Sequence, residues 1–223
     1  MIFGKIEYLN LLPFHIFLKR YLRHSSEKKA WQLRGSVPSQ INRAFIAKRI
    51  DAAVISSIKS RRYRCSDFGI VADGAVQSVL LIPGKAQTDK ESDTSNQLAK
   101  VLGLQGKIII GDKALRFWLE HPDSAIDLAT AWKAQEGLPF VFARLCAHPP
   151  HCQRIQKMTE AFFKAPPKIP YRILRDAADK HGLTPRQLQN YLQHIHYKLG
   201  WREKRALHRF FALSHTYQHP KKR

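Results

Sequence analysis

Hydrophobic residues along this chain recur with two periods, and the alternation between them predicts an α/β protein. Ile6 and Tyr8 suit an extended segment that runs into Leu9, Asn10, Leu11, Leu12 and Pro13. Pro13 fits the first turn of a helix, where its missing N–H is not needed. Phe14, Phe17, Leu18, Tyr21 and Leu22 then mark an apolar face at helical spacing. Ser36-Val37-Pro38-Ser39 reads as a second helix start, with Ile41, Phe45 and Ile46 as its buried face. The apolar runs 51–57 and 76–82 read as buried strands, the second closed by Pro83-Gly84.

Thr94 is expected to cap a helix reaching Leu102. Lys107 to Ile110 reads as a strand, Gly111-Asp112 as a turn and Ala114 to Leu119 as a helix. A helix from Asp127 to Gln135 should stop at Gly137, and Leu138 to Ala143 should lead into a returning strand. The last third is mostly helical: Thr184-Pro185 starts one helix that Gly200 ends, and Trp201 to Tyr217 is another.

Charge changes this picture by dividing the chain. Residues 1–83 carry 14 basic and 5 acidic side chains, residues 84–142 carry 7 and 8, and residues 143–223 carry 17 and 4. Two basic segments flanking a neutral one predict a discontinuous first lobe, 1–83 plus 143–223, and a small second lobe, 84–142. The 44% hydrophobic content fits a protein with a real core. Three cysteines give no disulfide framework and suit a reducing compartment. Lys5 and Glu7 interrupt the apolar N-terminus, which reads as mature protein, and no stretch is long and uncharged enough to span a bilayer. A cytoplasmic protein is expected.

Several predicted strand ends carry small polar residues: Asn10, Ser56, Ser57, Ser78 and Asp112. Thr94 and Ser95 add a helix start. Ligands of open α/β sheets bind beyond the carboxyl ends of the strands, and helix N-termini favour anions. Together these residues describe a cleft between two lobes that holds a small anion, although each alone reads more simply as a cap or a turn. Cys146, His148, His151 and Cys152 place four potential metal ligands in seven residues, but structural zinc usually needs two separated pairs, so no metal is expected. Gly182 to Leu188 resembles the start of a helix-turn-helix unit. Its simpler reading is a capped amphipathic helix with Leu188, Tyr191, Leu192 and Ile195 on one face. No glycine-rich phosphate loop, GxSxG, HExxH or closely spaced carboxylate pair is present.

Seven further elements run in order along nearly the whole chain. They are Gly4 to Asn10 with Pro13; Val37-Pro38-Ser39 leading to Ile50 through Ser57; Gly74 through Val79; Ser92 through Ser95; Ile110 through Leu115; Asp127-Leu128 with Trp132; and Gly137 through Ala143. On these the sequence resembles the chorismate dehydratase family, the first enzymes of the futalosine route to menaquinone. The resemblance implies a two-lobed fold like that of type II periplasmic binding proteins. Family members carry a longer stretch where Leu102 to Gly106 here joins two elements directly, so a reduced second lobe is expected.

What the resemblance implies is loss of water from chorismate to give 3-[(1-carboxyvinyl)oxy]benzoate, with no cofactor. It makes Asn10 and Ser78 the catalytic pair, with Ser56, Ser57, Thr94, Ser95 and Asp112 as substrate-binding residues. In the family the substrate's own side-chain carboxylate has been proposed as the proton acceptor. Chorismate is then the expected partner, with no membrane and no specific nucleic acid, and no oligomeric state is implied. The rival readings are a solute-binding protein of the same fold, a later enzyme of the same pathway acting as a naphthoate synthase, and a basic nucleic-acid-binding protein.

Overall fold

The computed structural model describes residues 1–23 and 31–218. Strand β1 (Ile2–Lys5) passes through a 3-10 turn (Leu9–Leu11) into α1 (Leu12–Arg23), with Pro13 in the first helical turn. Next come β2 (Gln32–Gly35), α2 (Pro38–Ile46), β3 (Ala52–Ser56), the single turn α3 (Ser57–Ser60) and β4 (Arg64–Ala72). The middle of the chain forms β5 (Val79–Pro83), α4 (Asp93–Val101), β6 (Gly106–Ile110), α5 (Asp112–Glu120), β7 (Ile126–Asp127) and α6 (Leu128–Glu136). Strand β8 (Phe140–Ala147) leads back to α7 (Cys152–Lys164), α8 (Tyr171–Lys180), α9 (Pro185–Gln193), β9 (His196–Lys198) and α10 (Trp201–Gln218).

Six strands form one sheet in the order β2-β1-β3-β8-β4-β9, and three form another in the order β6-β5-β7. In the large sheet β1 runs parallel to β2 and β3, while β8 is antiparallel to both β3 and β4. The small sheet is antiparallel throughout. Hydrogen bonding places Val79–Pro83 in the small sheet, so the chain crosses between the sheets in residues 73–78 rather than after residue 83. An apolar run shows that a strand is buried, and it does not show which sheet the strand joins.

Burial under the large sheet is dominated by rings. The Phe68 ring lies 4.6 Å from Phe14, 5.4 Å from Phe162 and 5.3 Å from Tyr197, and Phe68 itself is fully buried. The small sheet divides its side chains by the two-residue period of a strand. Leu81, Ile108 and Ile110 join the main core, whereas Leu80 and Ile109 form a separate outer cluster with Ala114. A junction of Trp132, Phe140 and Phe210, with centroids 5.0–6.1 Å apart, ties α6, β8 and α10 together.

Several expectations are corrected. Ser92, not Thr94, caps α4: its Oγ accepts the Ser95 N–H at 3.1 Å. Ile46 is exposed rather than part of the buried face of α2. The helix from Pro185 ends at Gln193, and His196–Lys198 pairs with β4 as an edge strand. Its apolar positions fit either period, and pairing with an available edge decides between them. Cys65 and Cys146, directly opposite each other in the β4–β8 register, are joined by a disulfide, against the expectation of none. That removes Cys146 from the candidate metal cluster. His148 bonds the Phe45 carbonyl at 2.8 Å, His151 lies 3.8 Å from Asp51, and Cys152 donates to the Ala147 carbonyl. Among the described residues no group of three metal-ligating side chains is present, and no helix is long and apolar enough to cross a membrane.

Candidate active site

A cleft of about 640 Å³, counting its open mouth, lies between the two sheets. Asn10 and Ser78 both line it. Asn10 is the middle residue of the 3-10 turn that follows β1, and the buried Leu9 and Leu11 pack on either side of it. Its carbonyl accepts the Tyr197 hydroxyl at 2.8 Å, which fixes the turn against β9. Its Oδ1 is buried and has no hydrogen-bond partner. A buried acceptor without a partner is costly unless a ligand completes it.

Ser78 sits at the end of the crossing segment. The Val76 and Gln77 N–H groups donate to Asp127 Oδ2 at 2.9 and 2.6 Å, and Gln77 adopts φ +60°. Asp127 Oδ1 also accepts the Ala129 and Thr130 N–H groups, capping α6. One carboxylate thus sets the crossing and the helix behind it. Burial raises the Asp127 pKa, and the four N–H groups oppose that rise. The Ser78 carbonyl accepts the Gly111 N–H at 2.8 Å, and its Oγ accepts the Tyr191 hydroxyl at 2.9 Å.

Neighbouring hydroxyls part company. Ser56 lines the cleft, its N–H donating to Asn42 Oδ1 at 3.1 Å. Ser57 does not line it, because its hydroxyl donates to the Val141 carbonyl at 2.6 Å. Ser95 lines the cleft with Ser92, their Oγ atoms 2.7 Å apart. Thr94 turns away and accepts the Ile58 N–H at 3.3 Å. Asp112 also lies outside the lining: it accepts the Leu9 N–H at 3.3 Å and sits 3.0 Å from His181 Nδ1. Its carboxyl pKa is raised, by burial above all, with His181 opposing. Its neighbour Gly111 does line the cleft, at φ +70°, where a Cβ would come within 3.0–3.2 Å of the Tyr8 ring. Tyr8, Asn42, Glu91 and Ser92 are wall residues that the sequence reading did not select.

Among the described residues no lysine or arginine lines the cleft, and Glu91 is its one acidic residue. Glu91 Oε2 is held by the Ser39 N–H at 3.3 Å, across from one lobe to the other. Helix starts, with their partial positive charge, stand where fixed cations would. Pro38 opens α2, Ser92 caps α4 and Gly111 caps α5, and all three line the wall. Converging helix N-termini and hydroxyls suit carboxylates without fixed cations.

Two unequal α/β lobes around a largely apolar cleft with a few polar side chains define a fold of the periplasmic-binding-protein type. A solved structure from Archaeoglobus fulgidus, protein AF1704, aligns over 97% of each chain with a TM-score of 0.64 at 11% identity. A Candida albicans protein, CA3427, described as exhibiting the generic periplasmic binding protein fold, aligns over 97% of this chain and 90% of its own with a TM-score of 0.50 at 9% identity. The family model described as menaquinone biosynthesis matches residues 1–107 and 99–216. A chorismate dehydratase from Campylobacter jejuni subsp. jejuni serotype O:23/36 (strain 81-176) is 44% identical over 215 residues, covering 94% of this chain and 96% of that protein. The chain belongs to this menaquinone-biosynthesis family. The two matched pieces meet at residues 99–107, around the short link from α4 to β6.

Proposed function

We propose that the chain is a chorismate dehydratase, removing water from chorismate to give 3-[(1-carboxyvinyl)oxy]benzoate for menaquinone synthesis by the futalosine route, with Asn10 and Ser78 as its catalytic pair. The observation that carries the pairing is that side chains 68 positions apart in sequence line one cleft, Asn10 with a buried oxygen that nothing satisfies. The reaction breaks the C3–H and C4–O bonds. The C3–H electrons become the C3–C4 double bond of an aromatic ring, and the C4 oxygen leaves with its electron pair and, with the released proton, departs as water. Aromatisation supplies the driving force, so the protein has to orient and to stabilise charge. Asn10 is no base: its Oδ1 accepts a hydrogen bond from the substrate and orients the reacting carbons. Ser78 donates to the departing oxygen or to a carboxylate. Ser56, Ser92 and Ser95 and the helix starts hold the two carboxylates. Chorismate is a polar anion made inside the cell, and the cytoplasm is the compartment where this enzyme works.

The test is to incubate purified protein with chorismate and follow an aromatic product lighter by one water. Turnover is expected. Binding with release of unchanged chorismate would reassign the protein as a carrier, and neither binding nor turnover would end the proposal.

A further inference from the structure

The face of α9 that reads in sequence as plain helix packing reaches the catalytic pair. Leu188 and Tyr191 on this face are 0% and 1% exposed. Leu188 is ordinary core, but Tyr191 brings a hydroxyl into the wall behind the cleft. It donates to Ser78 Oγ at 2.9 Å.

A tyrosine hydroxyl has one proton to give. Here that proton goes to Ser78. Its oxygen already receives a proton from Tyr191, its sole hydrogen-bond partner among the described residues, so its own O–H is left to donate. Burial raises the Tyr191 pKa far above its ordinary value, so the proton that orders Ser78 stays in place at neutral pH. On the same cleft, Asn10 Oδ1 is buried and without a partner.

We propose that Tyr191 is a positioning residue that sets the polarity of Ser78, so that Ser78 offers a donor to the substrate beside the unpartnered acceptor of Asn10. This rests on the dehydratase reading above. The two polarities match the C4 hydroxyl of chorismate, which presents a proton to one group and a lone pair to the other.

The experiment is steady-state kinetics with chorismate on the wild type, Tyr191→Phe, Ser78→Ala and the double variant, with Leu188→Ala as a packing control. Wild-type turnover tests the dehydratase reading itself; the variants, compared with an active wild type, test only the role of Tyr191. Tyr191→Phe is expected to fold and to lower kcat by about tenfold or more while KM changes less than about threefold. The double variant should be no slower than Ser78→Ala alone, because Tyr191 acts through Ser78. Leu188→Ala should lower the melting temperature and leave kcat near wild type. Multiplicative losses in the double variant, wild-type kcat in Tyr191→Phe, an equal kcat loss in Leu188→Ala, or failure of Tyr191→Phe to fold would each overturn the assignment.

Discussion

The two lobes hold their halves of the cleft by different means. In the large lobe Asn10 and Ser56 stand on a six-stranded sheet backed by fully buried rings, and each is fixed by a second residue, Tyr197 for Asn10 and Asn42 for Ser56. In the small lobe a three-stranded sheet carries Ser92, Ser95 and Gly111 at helix starts, and its outer cluster is finished by the half-buried Ile82, Phe117 and Trp118. Orientation for chemistry comes from the deep lobe. The lighter lobe grips the anion with backbone dipoles that need little core behind them.

That contrast can be broken first by stability. Phe68→Ala in the large lobe should cost about 3–5 kcal/mol, and Ile109→Ala in the small lobe about 2 kcal/mol, by urea unfolding. Equal costs would mean the two cores are equally deep. Asn10→Ala should lower kcat by about a hundred- to a thousand-fold, roughly 2.7–4 kcal/mol in the barrier, with circular dichroism unchanged. Wild-type kcat in that variant would remove chemistry from the large lobe.

Acid should separate the lobes too. Burial holds His15 on α1 down at about 4, below its ordinary 6.5. A depressed histidine contributes stability that is full above 6.5 and is lost as pH falls toward 4. The half-buried Asp112 and the buried Asp127 of the small lobe have raised pKa values, so their contributions are full below the ordinary carboxylate pKa and are lost as pH rises through the raised ones. Moving from pH 7 to pH 5 should therefore cost the wild type about 2 kcal/mol through His15, and His15→Gln should flatten that slope in urea melts. The smallest effect sharpens the division of labour. Ser95→Ala should raise KM for chorismate about tenfold with kcat held within about threefold. A kcat loss larger than the KM change would place chemistry in the small lobe.

Much of this was legible in the chain. The change from strand to turn at Asn10, the Gly111-Asp112 turn, the Gly137 stop and the short Leu102–Gly106 link all announce themselves through local rules. The hydroxyl pairs were ambiguous for a physical reason. Successive side chains point in different directions, so of Ser56-Ser57 and of Thr94-Ser95 only one member of each faces the cleft, and a pattern of polar residues does not say which. Asp112 was chosen for the right turn but serves as a brace, since a carboxylate at a helix start also finds backbone N–H groups and a histidine. Tyr191 was invisible because a tyrosine on an apolar stripe reads as packing, and its partner Ser78 lies 113 positions away.

The bond from Tyr197 to the Asn10 carbonyl closes a circuit of 187 positions. During synthesis the first reactive side chain to emerge therefore waits, unbraced, until nearly the last helix has left the ribosome. A growing chain of this protein should be inert toward its substrate until the final segment arrives, and a fragment that stops short of position 191 should fold in part yet never work.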